Sequence, residues 1–460
     1  MTTERTAPGA APALDEAALG WSVFRLAWPV VVQQVSFSIE QLVDAVLVGR
    51  LGEDALAGVR LASQLFWLAM AGMTAVGVGT IALVARNFGA GQPERAAAVL
   101  RSALLLALAW GGAIGLGFWA LGGWALTMMG AEPEAGRLGA HYLRSAALAM
   151  PFWSLLFAVY ASLQGAGDTR TPMAVGVAVN AVHIVLSTLL VNGVGPFPRL
   201  GVAGAGVGFT VAVIAGALAA LLLLSSGRLA LRWSPWMALA VDRRELSRIL
   251  RIGVPTGLEQ AQFNIAFMLY TRTIASLGTT AVAAHGITLA IQSLTYNAGF
   301  GLSVAASALV GQGLGAQRPD LAQRAAYLAT RYALALMGLV AVVLLVFGGE
   351  ITGLFVAGEE ADRVVETGRR LMIIFAFAMP GMGVSLALGG ALRGAGDTRA
   401  VLLIMAFCTW VIRLLPAYLL AITAGLGVPG AWTAAVLDID IRALLIWLRF
   451  RQGRWRHIRV

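Results

Sequence analysis

The sequence predicts an all-α polytopic membrane protein: twelve transmembrane helices in two six-helix lobes related by a pseudo-twofold axis along the membrane normal. Three observations carry this. Apolar residues make up 59% of the 460-residue chain and charged residues 12%, with a mean hydropathy of +0.80, whereas a soluble domain carries roughly 25% charge. Segments 61–85, 103–131, 171–198 and 200–227 each run 25 residues or more without an acid or an arginine, and a membrane helix needs about 20. The two halves of the chain also repeat one another. These features exclude a soluble enzyme and a nucleic-acid binder. They also exclude a β-barrel, whose signal is ~10-residue alternating segments.

Apolar runs and loop signals place the helices at 23–48, 61–86, 98–122, 138–163, 172–194, 203–227, 250–276, 283–310, 324–348, 369–392, 400–424 and 430–448. The third and fourth are separated only by the acidic turn 130–137. Residues 1–22 form an N-terminal segment holding Pro8, Asp15 and Glu16 and no apolar core. No cleavable signal peptide is therefore expected, and the first helix serves as an uncleaved anchor. The N-terminal lobe is 23–227, a basic linker follows at 228–249, the C-terminal lobe is 250–448, and 449–460 is a basic tail. All 33 basic residues are arginine, and with both termini in the cytoplasm 22 of them face inward against 8 outward. That asymmetry places both ends, the linker and the tail on the cytoplasmic side of a cytoplasmic (inner) membrane. The net charge of +10 sits at helix ends, so it is no nucleic-acid footprint. The single cysteine, Cys408, excludes an intramolecular disulfide framework.

The repeat has a fixed offset. Pro29 and Pro255 are 226 apart, as are Leu51-Gly52 and Leu277-Gly278, Gly89/Pro93 and Gly315/Pro319, and Gly201/Gly204/Ala205 and Gly427/Gly430/Ala431. The hexapeptide GAGDTR occurs at 165–170 and 394–399, 229 apart, and Pro151 and Pro380 share that offset. Six helices per half is an even number, so both halves insert in the same orientation. Two such lobes around a shared cleft make an alternating-access transporter.

With Pro29, the run D-x-x-x-V-G-R-L-G from Asp44 to Gly52, the turn at 55–60, the loops 89–94 and 315–320, and the paired GAGDTR loops, the chain resembles the multidrug and toxic compound extrusion (MATE) transporters over residues 20–455. The resemblance implies twelve helices, a central cleft, and export of organic cations in exchange for protons or sodium ions. It implies no cofactor beyond the coupling ion. The partners expected are small organic cations and the lipid bilayer, with no nucleic acid, for a chain acting as a monomer. The alternative within the superfamily is a flippase for a lipid-linked precursor, which needs a cationic cleft. An intramembrane enzyme would need a metal-binding or nucleophilic constellation such as H-E-x-x-H, and the four histidines (141, 183, 285, 457) are scattered.

Ionisable groups inside a span are costly and mark ion pathways. Glu40 and Asp44 stand four apart in the first helix and share a face. Asp44 matches the family's first-helix coupling aspartate, which makes this pair the expected ion-coupling site. Glu259, one turn after Pro255, is expected to hold a cationic substrate or a second ion; its repeat partner is Gln33. Gln34, Gln260, Asn180, His183 and Tyr270 complete the expected cation-binding set. Some relatives carry an Asn/Asp pair in the fifth helix where this chain has His183 and Ser187. Tyr270 is the repeat partner of Asp44, and residues 371–392 contain no acid. Both departures favour protons over sodium, which wants several oxygen ligands.

Other features read as structural. Asp438 and Arg442, i and i+4, form an expected buried pair, while Arg272 and Arg413 must each meet a carboxylate, carbonyls or water because they cannot lose their charge. Were the latter two to face the cleft, an anionic substrate would fit. Asp168 and Asp397 are read as caps or inner-face hinges, and Gly77, Gly79, Gly204, Gly206 and Gly208 as close-packing positions. Met150, Phe152, Trp153, Tyr296 and Phe300 are candidates to line a soft cavity, with core packing as the default.

Overall fold

The structure, a computed structural model, describes residues 18–231, 242–356 and 361–458. Most of the N-terminal segment, linker residues 232–241 and the last two residues of the tail lie outside the described residues. All regular structure described is helical: α1 (Leu19–Gly49), α2 (Glu53–Gly89), α3 (Pro93–Met128), α4 (Pro133–Ala147), α5 (Ala149–Gly165), α6 (Arg170–Asn192), α7 (Val202–Ser225), α8 (Arg243–Ala275), α9 (Thr279–Gly315), α10 (Pro319–Gly353), α11 (Ala361–Phe377), α12 (Met379–Gly394), α13 (Thr398–Phe407), α14 (Leu415–Tyr418) and α15 (Gly427–Arg451). Twelve rods result. Two are bent pairs: α4 meets α5 at 56° and α11 meets α12 at 48°. The bends fall just ahead of Pro151 and Pro380, which have no N–H to donate to the carbonyls four residues back. The expected span 138–163 therefore begins earlier, at Pro133, and turns at its middle.

The eleventh rod runs from Thr398 to Thr423 through α13, a π-helical segment at Cys408–Leu414, α14, and a second at Leu419–Thr423. Pro416 sits between the two widened segments and donates no helical hydrogen bond. Its counterpart α6 is regular throughout. Eight rods are long and apolar enough to cross a membrane by themselves, and the bent pairs make ten. The other two, α8 and α15, are as long but carry charge: Arg243, Arg244, Glu245, Arg248, Arg251, Glu259 and Arg272 in one, Asp438, Asp440, Arg442, Arg449 and Arg451 in the other.

Exposure along the rods identifies the surrounding solvent. Leu116, Trp119, Leu222, Leu339 and Leu403 are each more than 60% exposed, a pattern that water would penalise and lipid satisfies. In α2 and α9 the apolar windows are instead 67% and 83% buried, so each of these repeat-related helices runs through the middle of its own bundle.

Packing sorts the helices into two compact units. One holds Val32–Gly49 of α1, α2 to α7, and α8 up to Gly257; the other holds α1 up to Val31, α8 from Leu258, and α9 to α15. The chain thus changes unit two residues after Pro29 and two residues after Pro255, again 226 apart. The sequence boundaries kept 23–48 whole in one lobe and 250–276 whole in the other, whereas the packing exchanges the N-terminal part of each helix. A proline removes the hydrogen bond that would stiffen the rod at that point.

Small residues hold the exchanged segments. In the first unit a Cβ on Gly253 would lie 1.9 Å from the Ala75 carbonyl oxygen, and one on Gly79 would lie 2.3 Å from that of Ile249. In the second, a Cβ on Gly301 would lie 2.7 Å from the Ala27 carbonyl oxygen. Positions 27 and 253 are repeat partners, as are 75 and 301, so the same backbone approach occurs twice with the glycine on opposite helices. Leu19, Val23, Leu26 and Ala27 belong to the core of the second unit with Leu302, Ala305, Ala322 and Ala387.

Candidate functional site

In the first unit α1 and α6 are joined by a ladder of polar contacts. Gly176 lets the Gln33 amide lie close against α6: a Cβ there would come within 2.9 Å of Gln33 Nε2, and the side chain would have to shift. One turn on, Asn180 Nδ2 donates to Ser36 Oγ at 3.0 Å. At the next turn His183 Nδ1 lies 2.7 Å from Glu40 Oε1, and its other nitrogen, Nε2, lies 3.5 Å from Asp44 Oδ2. The i, i+4 spacing of Glu40 and Asp44 on α1 aims both carboxylates at one imidazole on α6. Glu40 and His183 are buried, while 18% of the Asp44 side chain is exposed.

The imidazole is held on its other sides as well. The ring of Phe209, on α7, meets it edge-on at 5.5 Å, and the backbone carbonyl of Ala205 faces it. Phe209 continues into an aromatic cluster with Phe66 and Trp153, and Phe66 contacts Tyr142. Two buried polar atoms of the site make no hydrogen bond among the described residues: His183 Nε2 and Asp44 Oδ1. Ser187 Oγ, one turn beyond His183, makes none either, and Gly208 brings α7 against it. Glu40, Asp44 and His183 each offer one ligand atom, all within 4.8 Å of one another. That is compact enough for one small cation to be shared by all three. Linear spacing could not show this grouping, since 143 residues separate Glu40 from His183.

The candidate residues divide between the units. Glu40, Asp44, Asn180, His183 and Gln34 lie in the first, and Glu259, Gln260 and Tyr270 in the second. Glu259 is buried and bonded to Arg393 at 2.5 Å, on α12. Gln260 Nε2 donates to Asn264 Oδ1. Tyr270 is buried with its hydroxyl unbonded, its ring 5.8 Å from that of His285 and 5.9 Å from the guanidinium of Arg413. Asp438 and Arg442 form the expected pair, and Arg413 joins it through Nε at 2.6 Å. Arg272 is exposed. Met150 is fully buried, Trp153 belongs to the aromatic cluster, and Tyr296 stacks on Phe300. Phe209, Tyr142 and Arg393 were not singled out by sequence; only three-dimensional proximity marks them.

A MatE family model matches the chain twice, over residues 29–189 and 255–419. The two matches begin 226 residues apart and each covers one copy of the repeat. The chain belongs to the MatE family. Among curated MatE-type relatives, a probable multidrug resistance protein NorM of Bradyrhizobium diazoefficiens is 30% identical, the alignment covering 93% of this chain and 92% of that protein. The multidrug resistance protein PmpM of Pseudomonas aeruginosa is 27% identical over 94% and 91% of the two chains. Two solved structures share the fold: a MOP superfamily transporter from Pyrococcus furiosus (TM-score 0.90, 23% identity, 99% of this chain and 100% of that one) and the Vibrio cholerae MATE transporter VcmN (TM-score 0.87, 20% identity, 95% and 97%). As a MatE protein the chain is a multi-pass membrane transporter.

Proposed function

We propose that this MatE protein is a secondary active multidrug efflux antiporter, exporting organic, amphipathic cations in exchange for protons by alternating access. Glu40, Asp44 and His183 form the coupling site. The relatives named as multidrug resistance proteins support the transport class. The placing of one imidazole between two carboxylates supports the ion. An imidazole and a carboxylate that touch can hand a proton between them, and the second carboxylate supplies a further resting place for it. Sodium would be bound by oxygens, and here a nitrogen ligand occupies the centre. Protonation removes charge from Asp44 and loosens its hold on a cationic substrate; deprotonation restores it. Asn180 and Gln34 extend the polar lining toward the substrate, and in the second unit Glu259, Gln260 and Tyr270 are the corresponding candidates. We place both termini on the cytoplasmic side of a bacterial inner membrane on the strength of the arginine asymmetry, and propose that the chain acts as a monomer.

The test is efflux of a fluorescent organic cation from proteoliposomes under an imposed proton gradient and, separately, a sodium gradient. Proton-driven transport that disappears in Asp44→Asn is the expected result. Transport driven by sodium alone would overturn the ion, and absence of transport under both gradients would overturn the antiporter.

A further inference from the structure

Among the described residues of the second unit, one buried cluster carries more positive than negative charge. Asp438, fully buried on α15, accepts from two guanidiniums at once: Arg442 NH2 at 2.6 and 2.5 Å, and Arg413 Nε at 2.6 Å. Both arginines are at least 90% buried. A further ion pair, Glu259 with Arg393, is neutral in itself, and Glu259 acts on Arg442 from there, with its second oxygen, Oε2, buried and unbonded among the described residues. Asp440, two residues along α15, is turned against Gly381 on α12 and bonds none of these arginines among the described residues. His285 accepts from Trp432 on the far side of Tyr270, and the Cys408 thiol lies near Asp438 and Arg442. Among the described residues, three guanidiniums (Arg393, Arg413, Arg442) therefore accompany two carboxylates (Glu259, Asp438), and arginine cannot discharge itself by losing a proton.

Unused donors accompany the excess charge. Arg413 bonds through Nε alone among the described residues, which leaves the terminal NH2 groups of its fork free. Its guanidinium carbon lies 5.8 Å from the Phe263 ring and 5.9 Å from that of Tyr270. The hydroxyls of Tyr270 and of Thr409, one turn before Arg413 on the π-helical segment, are buried and unbonded among the described residues, and so is Arg442 Nε. A buried surplus of positive charge and buried unbonded donors are both unfavourable. One bound anion relieves both together.

We propose that Arg413 anchors a site for a singly charged anionic group inside the second unit, best fitted by a carboxylate on an aromatic body. The planar fork suits a carboxylate's two oxygens, and the flanking rings of Phe263 and Tyr270 suit the body behind it. The site is independent of the coupling triad and needs no ion gradient to be detected.

The measurement is isothermal titration of the full-length protein in lipid nanodiscs, in a zwitterionic buffer free of chloride and carboxylate, with sodium benzoate and then sodium chloride. One benzoate per chain is expected. Affinity should fall at least tenfold in Arg413→Gln and about threefold or more in Tyr270→Phe, and should not change in Arg272→Gln, whose side chain is exposed. Tyr270→Phe leaves every ion pair in place, so it carries the test if Arg413→Gln melts early. An Arg413-dependent signal with chloride and none with benzoate would keep the anion site and overturn the carboxylate. Benzoate binding that Arg413→Gln and Tyr270→Phe leave unchanged, or no binding of either anion, would overturn the proposal.

Discussion

Asp168 and Asp397 occupy the same place in two copies of one hexapeptide and hold different partners. Asp168 accepts from the backbone N–H of Thr171 at 3.0 Å and from its hydroxyl at 2.6 Å, closing the first turn of α6. Asp397 accepts a two-pronged bond from Arg449 on α15, at 2.7 and 3.2 Å. Duplicated loops have thus become a helix cap in one unit and an interhelical clamp in the other.

The two aspartates should respond differently to mutation. Asp168→Ala is expected to cost about 1 kcal/mol, the usual loss for a cap, and to be rescued by Asn. Arg449→Ala leaves a buried carboxylate with its two bonds gone and should cost about 1–3 kcal/mol. Thermal unfolding in detergent, followed by circular dichroism, separates the two cases.

Asp438→Asn should be among the most damaging single changes in the second unit. It leaves Arg413 and Arg442 facing each other without their shared carboxylate, a loss of about 3–5 kcal/mol for breaking a buried ion pair. A double-mutant cycle of Asp438→Asn with Arg413→Gln should show strong coupling, because removing the second guanidinium relieves part of the first defect.

Gly253→Ala places a methyl group 1.9 Å from the Ala75 carbonyl oxygen, and backbone cannot step aside cheaply. A destabilisation of about 1–3 kcal/mol is expected from overpacking. Gly112→Ala, where a Cβ meets nothing within 4 Å, should instead raise stability by about 0.5–1 kcal/mol through helix propensity. Melting temperatures of the two variants should move in opposite directions.

His183→Asp puts oxygen ligands where the imidazole stands between Glu40 and Asp44. Proton-driven efflux should fall at least tenfold and sodium-driven efflux should rise above the wild-type level. Glu40→Gln keeps the shape and removes one proton acceptor. It should slow proton-driven efflux less than Asp44→Asn does, as measured by initial rates in proteoliposomes.

Much of the fold was legible in the sequence because lipid imposes a simple rule on composition, and because the 226-residue offset binds one half to the other. The pairing of Asp438 with Arg442 was legible too, since i, i+4 on a helix is a local relation. Contacts that join distant segments were not. His183 finds Glu40 across 143 residues, Glu259 finds Arg393 across 134, and Arg413 reaches Asp438 across 25 and a π-widened helix. No spacing rule encodes those. The exchange of helix halves was hidden for a different reason: an apolar, proline-containing rod reads the same whichever bundle receives each half.

That exchange sets an order on biosynthesis. When α1 leaves the ribosome, the partners of Leu19, Val23 and Leu26 lie almost three hundred residues downstream in α9 and beyond. The first turns of the nascent protein must wait in lipid, or with an insertion chaperone, until more than half of the chain has been made. A truncated chain ending in the linker would keep these side chains permanently without their core. The duplication that produced two similar halves therefore left neither able to mature alone.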